Sequence, residues 1–344
     1  MEGYLTHRNL FLFVSTAAAN PRCCFFALIL KWPYPLISKK IILRVRMMNF
    51  GKVLTAMVTP FDQYGEVDYS AAKTLINYLI ENGSDGLVVA GTTGESPTLT
   101  TEEKVALFKF VVSEVAGRVP VIAGTGSNNT RASINLTKLA EETGVDGILL
   151  VVPYYNKPSQ EGLYQHFKVI AESTSLPVML YNIPGRSVIN LSVETIVRLS
   201  EIVNIVSIKE ASGNLDAMAQ MISKTPEHFT LYSGDDGLTL PVLAIGGTGV
   251  ISVASHIIGN EMQEMIANFK NGRLEEAADA HRRLLPIMKA LFAQPNPSPV
   301  KAALNMTGIQ VGGVRLPLMP LNEDEKTILR RILPASKVSI SLNN

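Results

Sequence analysis

The chain has 344 residues, 47% of them hydrophobic, enough for one large α/β domain or two ordinary ones with a sizeable core. Its 31 basic and 30 acidic residues leave a net charge of +1. That balance, with no block of like charges, gives no support for nucleic-acid binding or for a charged interaction tail.

Residues 1–47 differ from everything after them. Glu2 is their only acid, against Arg8, Arg22, Lys31, Lys39, Lys40, Arg44 and Arg46. Both cysteines, Cys23 and Cys24, and the single tryptophan, Trp32, lie there too. From Met48 onward there is no cysteine, which excludes disulfides and thiol chemistry from the body of the chain. Three readings of this leader compete. It has the basic, acid-poor character of a targeting segment. It has apolar runs at 10–14 and 24–30, but Asn20-Pro21-Arg22 splits them into pieces well short of the roughly 20 residues that span a membrane. The third reading, and the preferred one, is upstream sequence ahead of a start at Met47 or Met48. The leader shows no periodicity, helix cap or cleavage site, and is expected to be unstructured.

From Val53 the pattern is strand, loop, helix, repeated. A strand at 54–59 precedes a helix at 69–81 entered through Asp68 as N-cap. A strand at 86–90 precedes a helix at 100–115, where Thr100 and Glu103 have the spacing of a capping box. Strands at 119–123, 147–152 and 177–182 alternate with helices at 130–143, 160–173 and 193–202. The sixth strand, 205–210, precedes a helix at 215–224; the seventh, 229–233, a short helix at 236–244; the eighth, 249–252, a helix at 256–270. Eight β/α units in about 220 residues argue for a parallel sheet. Eight is also the number that closes a (β/α)8 TIM barrel, whereas open doubly wound sheets more often have five or six strands. Residues 272–334 hold no further strand and read as helices at 274–292, 298–306 and 322–333, with Ser298-Pro299 as N-cap and first-turn proline of the second. The expected architecture is thus α/β: a TIM barrel over 48–271, a C-terminal helical appendage over 272–334 in the same domain, and a tail over 335–344.

In such a barrel, chemistry gathers where the strands end. The sixth strand, Ile205-Val206-Ser207-Ile208-Lys209-Glu210, places a lysine at the end of a buried apolar run. Burial disfavours the charged ammonium, and a neutral amine is a nucleophile toward carbonyls. On this strand alone a lysine that snorkels to solvent is the commoner case. After the second strand comes Gly91-Thr92-Thr93-Gly94-Glu95-Ser96, a tight turn with hydroxyls and amides suited to a carboxylate, or simply a turn. It is no phosphate-binding P-loop, which needs a Gly-Lys-Ser/Thr end. After the fourth come the adjacent Tyr154 and Tyr155; the fifth ends in Tyr181-Asn182-Ile183-Pro184-Gly185-Arg186; the seventh in Gly234-Asp235-Asp236; the eighth carries Ile251. Singly, a tyrosine here is most often a packing residue and Arg186 a surface ion pair of little worth. Together they supply an amine, proton carriers and a bidentate carboxylate grip, the needs of a Schiff-base lyase acting on carboxylated substrates. No histidine falls at a strand end, and no His/Asp/Glu spacing points to a metal.

With these residues assembled, the stretch from 48 to about 333 resembles the dihydrodipicolinate synthase family of pyruvate-dependent class I aldolases. The resemblance rests on five motifs in the family's order: Gly91–Ser96, Pro153-Tyr154-Tyr155-Asn156-Lys157-Pro158-Ser159-Gln160-Glu161-Gly162, Tyr181–Arg186, Ile208-Lys209-Glu210-Ala211 and Ser233-Gly234-Asp235-Asp236. It implies that Lys209 forms an imine with pyruvate, that Thr93 and the backbone near Ile251 hold the pyruvate carboxylate, and that Gly234 belongs to the substrate pocket. It implies a proton relay of Tyr181, Thr92 and Tyr155, the last supplied by a neighbouring subunit. Arg186 would grip the carboxylate of the second substrate, L-aspartate 4-semialdehyde. The product would be 4-hydroxy-tetrahydrodipicolinate, on the diaminopimelate route to lysine. The enzyme would be a cytoplasmic homotetramer, a dimer of dimers, with no cofactor, metal, nucleic acid or membrane partner. The leader has no counterpart in bacterial members.

Two alternatives remain beside this reading. N-acetylneuraminate lyase and 2-keto-3-deoxy-sugar aldolases share the lysine and the tyrosine; Thr92-Thr93 and Arg186 favour the synthase. A non-catalytic barrel that senses a keto acid is weighed against by the retention of every relay residue. One departure is informative. Lysine-inhibited members commonly carry a glutamate at the position of Ala132 and a histidine or other polar side chain at those of Thr101 and Lys104. Asn128 and Tyr154 are kept, but without the acid, and with Lys104 repelling a cationic effector, feedback by lysine is expected to be weak or absent.

Overall fold

A computed structural model of the chain describes residues 50–334; the expectations for the leader at 1–47 and the tail at 335–344 fall outside the described residues. Eight strands follow one another: β1 (Val53–Ala56), β2 (Gly86–Val89), β3 (Val121–Gly124), β4 (Gly147–Val151), β5 (Val178–Asn182), β6 (Ile205–Glu210), β7 (Thr230–Ser233) and β8 (Gly249–Ser252). Each pairs in parallel with the next, and β8 returns to β1, so the sheet is a closed barrel with no free edge. The strands are nearly continuous apolar runs because both of their faces are covered. Leu54, Val88, Ile122, Leu149 and Met179 point into the lumen, while Val53, Leu87, Val121, Ile148 and Val178 meet the surrounding helices. Each such side chain taken fully out of water contributes roughly 1.5–3 kcal/mol.

The helices are α1 (Tyr69–Glu81), α2 (Thr101–Val115), α3 (Thr130–Glu142), α4 (Gln160–Ala171), α5 (Pro184–Ser187), α6 (Val193–Ser200), α7 (Leu215–Lys224), α8 (Thr239–Ala244) and α9 (Ser255–Lys270). Beyond the barrel lie α10 (Leu274–Ala290), α11 (Ser298–Met306) and α12 (Glu323–Ile332). Short polar side chains fix where they begin. Asp68 accepts from the Ala71 amide at 2.9 Å, and Thr100 and Glu103 form the reciprocal capping box anticipated from their spacing. Asn129, Ser159, Ser192 and Asn214 cap α3, α4, α6 and α7 in the same way. Among the described residues no helix is long and apolar enough to cross a membrane.

Sequence expectation and structure part company in four places. The predicted helix at 236–244 is a 3-10 turn, Asp236–Leu238, running into α8. Ser298 is not the cap of α11 but its first residue, with Pro297 outside it and no side-chain cap. Between the fifth strand and the helix at 193–202 no element was expected, yet Pro184 opens the one-turn α5 that carries Arg186, since proline is tolerated in a first turn. Lastly, β6 holds one residue too many for its neighbour. Val178 pairs with Ile205, but Met179 pairs with Ser207, leaving Val206 as an extra residue. Such a bulge resets which side chains face inward. Ile205 and Ile208 both pack on the helix side, and Val206 faces the lumen. Had Val206 taken a regular place in the ladder, strict alternation from Ile205 would have turned Lys209 outward; because Val206 is left unpaired, Lys209 comes level with Tyr181 of β5 and Tyr232 of β7.

Candidate active site

The lumen is packed with apolar side chains for most of its height and turns polar at the strands' C-terminal ends. There Lys209 is only 6% exposed, and its Nζ lies 4.4 Å from the centroid of the Tyr181 ring. The two side chains stand on adjacent, paired strands, not across the barrel mouth from each other. The lysine's stem has room because residue 234 is a glycine. A Cβ at Gly234 would come 3.2 Å from Lys209 Cε and 2.7 Å from Ala211 Cβ. Glu210, next in the chain, points the other way. It accepts from Asn182 Nδ2 at 2.9 Å and from the Ser212 amide at 2.7 Å, and burial pushes its carboxyl up.

Beside the lysine opens a cavity of about 210 Å³, lined among others by Thr92, Leu149, Tyr154, Tyr181 and Arg186. Of the eight residues singled out in the sequence, Thr92, Tyr181 and Arg186 therefore share one space, with Lys209 against the Tyr181 ring that borders it and Gly234 beside the lysine's stem. Ile251 packs in the lumen with Tyr181. Thr93 is turned away from solvent, its Oγ1 accepting from Asn296 Nδ2 at 2.8 Å. Tyr155 is not brought in. It has a left-handed backbone (φ 74°) and its side chain is 87% exposed, beyond the cavity.

Two tyrosines stand near the lysine, and they differ in freedom. Tyr232 donates its hydroxyl to the Gly51 carbonyl at 3.0 Å, toward the far end of the barrel, and burial pushes its phenol pKa up. It is held as a neutral donor. Tyr181 borders the open cavity. A hidden amine beside a phenol and a space for a small molecule is an arrangement that can add to a carbonyl and move protons around the adduct. No histidine shares the space. His256 is buried outside the lumen, its Nε2 accepting from the Val58 amide at 3.2 Å and its Nδ1 bonded to the Val253 carbonyl at 2.8 Å. Among the described residues no group of three or more His, Cys, Asp or Glu side chains could hold a metal ion.

A model of the dihydrodipicolinate synthetase family matches residues 49–336. The chain belongs to that family. A 4-hydroxy-tetrahydrodipicolinate synthase of Bacillus velezensis is 66% identical over 286 residues, covering 83% of this chain and 99% of the relative. Among solved structures, a dihydrodipicolinate synthase from Bacillus anthracis superposes with a TM-score of 0.82 at 62% identity, covering 83% of this chain and 98% of the other. One from Cyanidioschyzon merolae, with lysine bound, gives 0.81 at 52% identity, covering 82% and 97%. The dihydrodipicolinate synthetase family thus accounts for the barrel and the appendage alike.

Sequence reasoning missed the residues that hold this site from outside. Asn296, Lys301 and Glu95 are all buried, and Lys301 Nζ meets Glu95 Oε1 at 2.7 Å. One signal was available: Lys301 is a lone charge among Val300, Ala302, Ala303 and Leu304, where a solvated lysine would sit on a polar face. Nothing local marked Asn296, whose partner lies 203 positions away.

Proposed function

We propose that this chain condenses pyruvate with L-aspartate 4-semialdehyde to give 4-hydroxy-tetrahydrodipicolinate, through an imine at Lys209. The observation that carries the reading is the buried amine of Lys209 against Tyr181 beside a small cavity, in a chain 66% identical to a named synthase. The same relatives favour it over the sugar-aldolase alternative.

The Lys209 amine attacks the keto carbon of pyruvate, and with one proton delivered through Tyr181 the adduct loses water to leave a protonated imine. Its cationic nitrogen draws electrons from the neighbouring methyl group, so a proton leaves and an enamine forms. The enamine carbon attacks the aldehyde carbon of the semialdehyde, which makes the new C–C bond. The semialdehyde's own amine then displaces Lys209 from the imine carbon and closes the ring. Tyr181 carries the protons, relayed by Thr92 and by Tyr155 of a second subunit. Thr93 and the backbone at Ile251 hold the pyruvate carboxylate. Arg186, a fixed planar donor on α5, grips the carboxylate of the semialdehyde. Gly234 leaves the space in which the lysine swings.

The exposure of Tyr155 supports its use by a neighbour, since a large aromatic held in a left-handed turn and facing out is otherwise without a role. We place the enzyme in the cytoplasm as a dimer of dimers. Borohydride reduction with pyruvate, read by peptide mass, tests the chemistry. Pyruvate's reduced adduct is expected on Lys209, and its absence would falsify the imine.

A further inference from the structure

We propose that Asn296 and Lys301, both beyond the barrel, are positioning residues that set Thr93 as a hydrogen-bond donor to the carboxylate of pyruvate. The inference rests on the reading of Thr93 given above. A threonine hydroxyl has one proton to give and two lone pairs to offer. Asn296 Nδ2, itself buried, fills one lone pair of Thr93 Oγ1 at 2.8 Å. The hydroxyl proton is thereby turned away from Asn296. A carboxylate can only accept, so a hydroxyl committed in this way is matched to it.

The loop that carries Thr93 is also held from outside. Glu95 has a left-handed backbone (φ 56°), which disfavours a residue with a side chain and persists only where the surroundings impose it. What imposes it here is electrostatic. The Glu95 side chain is fully buried, and its carboxylate meets Lys301 Nζ at 2.7 Å and accepts from the Arg315 amide at 2.9 Å. Lys301 also donates to the Gly313 carbonyl at 2.6 Å and stands 4.1 Å over the Phe61 ring. The Arg315 guanidinium lies 4.4 Å from the same ring and donates to the carbonyls of Gly65 and Thr98 and to Glu103. Charges this deep are held because each has its partner. On the barrel side, Thr59 Oγ1 donates to the Gly94 carbonyl at 2.8 Å. Residues 93–95 are therefore pinned from both sides, and among the described residues the hydrogen-bond partner of the Thr93 hydroxyl is Asn296.

Steady-state kinetics in both substrates tests this. Asn296→Leu keeps the approximate shape and removes the donor. It is expected to raise the pyruvate KM about tenfold, with the semialdehyde KM within about twofold of wild type and the thermal midpoint little changed. Lys301→Met alone would strand a buried carboxylate, so the second variant is Lys301→Met/Glu95→Gln, which leaves no bare charge. It is expected to shift the pyruvate KM the same way by several-fold. Wild type that traps pyruvate, with Thr93→Val raising the pyruvate KM, leaves the reading of the site intact. If both test variants then match wild type in pyruvate KM, or raise both KM values together as the thermal midpoint falls, the positioning role is wrong. If Thr93→Val leaves the pyruvate KM unchanged, the reading of Thr93 fails and the proposal goes with it.

Discussion

The two ends of the barrel are built from the same eight strands and use their polar groups in opposite ways. At the N-terminal end the polar groups are spent on the backbone. Asp85 takes the amides of Lys52 and Val53 at 2.6 and 3.0 Å, Asp146 takes that of Val121 at 2.9 Å, and Tyr232 reaches down to Gly51. Phe50 plugs the lumen below, so close that a Cβ at Gly147 would come 3.1 Å from its ring. At the C-terminal end, Thr92, Tyr181 and Arg186 instead border open space. The difference teaches what separates a stabilising polar group from a reactive one here. Residue type does not decide it, since a tyrosine serves at each end. What decides it is whether the group's hydrogen bonds are already satisfied by the chain.

That comparison can be broken most severely at Lys209. Lys209→Met should lower turnover by roughly 10⁴-fold or more while the thermal midpoint holds; a variant that keeps turnover would remove the amine from the mechanism. Tyr181→Phe and Tyr155→Phe should each cost about 10²–10⁴ in kcat. Unchanged turnover in Tyr155→Phe would sink the dependence on a second subunit even with the lysine assignment intact. The opposite end should respond the opposite way. Phe50→Ala is expected to lose about 3–5 kcal/mol of stability with kcat per folded molecule unchanged, checked by denaturant unfolding beside an assay below the transition.

A smaller effect concerns pH. Burial lowers the pKa of His256 to about 4 from 6.5, and its Nε2 must stay unprotonated to accept from Val58. Between those values the unfolded chain binds a proton that the folded chain refuses. Stability should therefore be level above about 6.5 and fall by roughly 2–3 kcal/mol as pH drops toward 4. His166, also lowered to about 4 by burial, acts in the same direction. Denaturant midpoints across this range test it, and a His256→Gln variant with an undiminished pH slope would assign the loss elsewhere. The smallest effect is expected from lysine. Ala132 is exposed and offers no carboxylate, and Lys104 is half-buried, its pKa lowered by burial. Half-inhibition below about millimolar, an affinity of roughly −4 kcal/mol, would overturn this.

Much of the molecule was legible in the sequence because its signals are local. Period and turn residues marked the eight units, and Asp68 and Thr100 announced their helices through side chains that cap within three residues. The strand-end motifs were readable because a parallel barrel brings all such ends to one face. What stayed hidden depends on partners distant in sequence. That Tyr181 is the lysine's neighbour follows from pairing register, and the link between Asn296 and Thr93 joins segments with no shared pattern. Ser298 shows the converse. It has the composition of a cap, but the chain before it is already turned by Pro297, so the helix begins one residue early.

The extra residue in β6 sets a condition on counting chains of this kind. Deleting Val206 would leave Ile208-Lys209-Glu210-Ala211 intact, and every motif by which the family is recognised would still match. The amine would also keep its side: with Ile205 held opposite Val178, Ser207, Ile208 and Lys209 would follow Met179, Leu180 and Tyr181 in unbroken register, and Lys209 would still face the lumen. It is the chain with the extra residue in which counting alternate positions from Ile205 misplaces the lysine, so the side on which the amine lies is read from its pairing with Tyr181 and not from the length of the run before it.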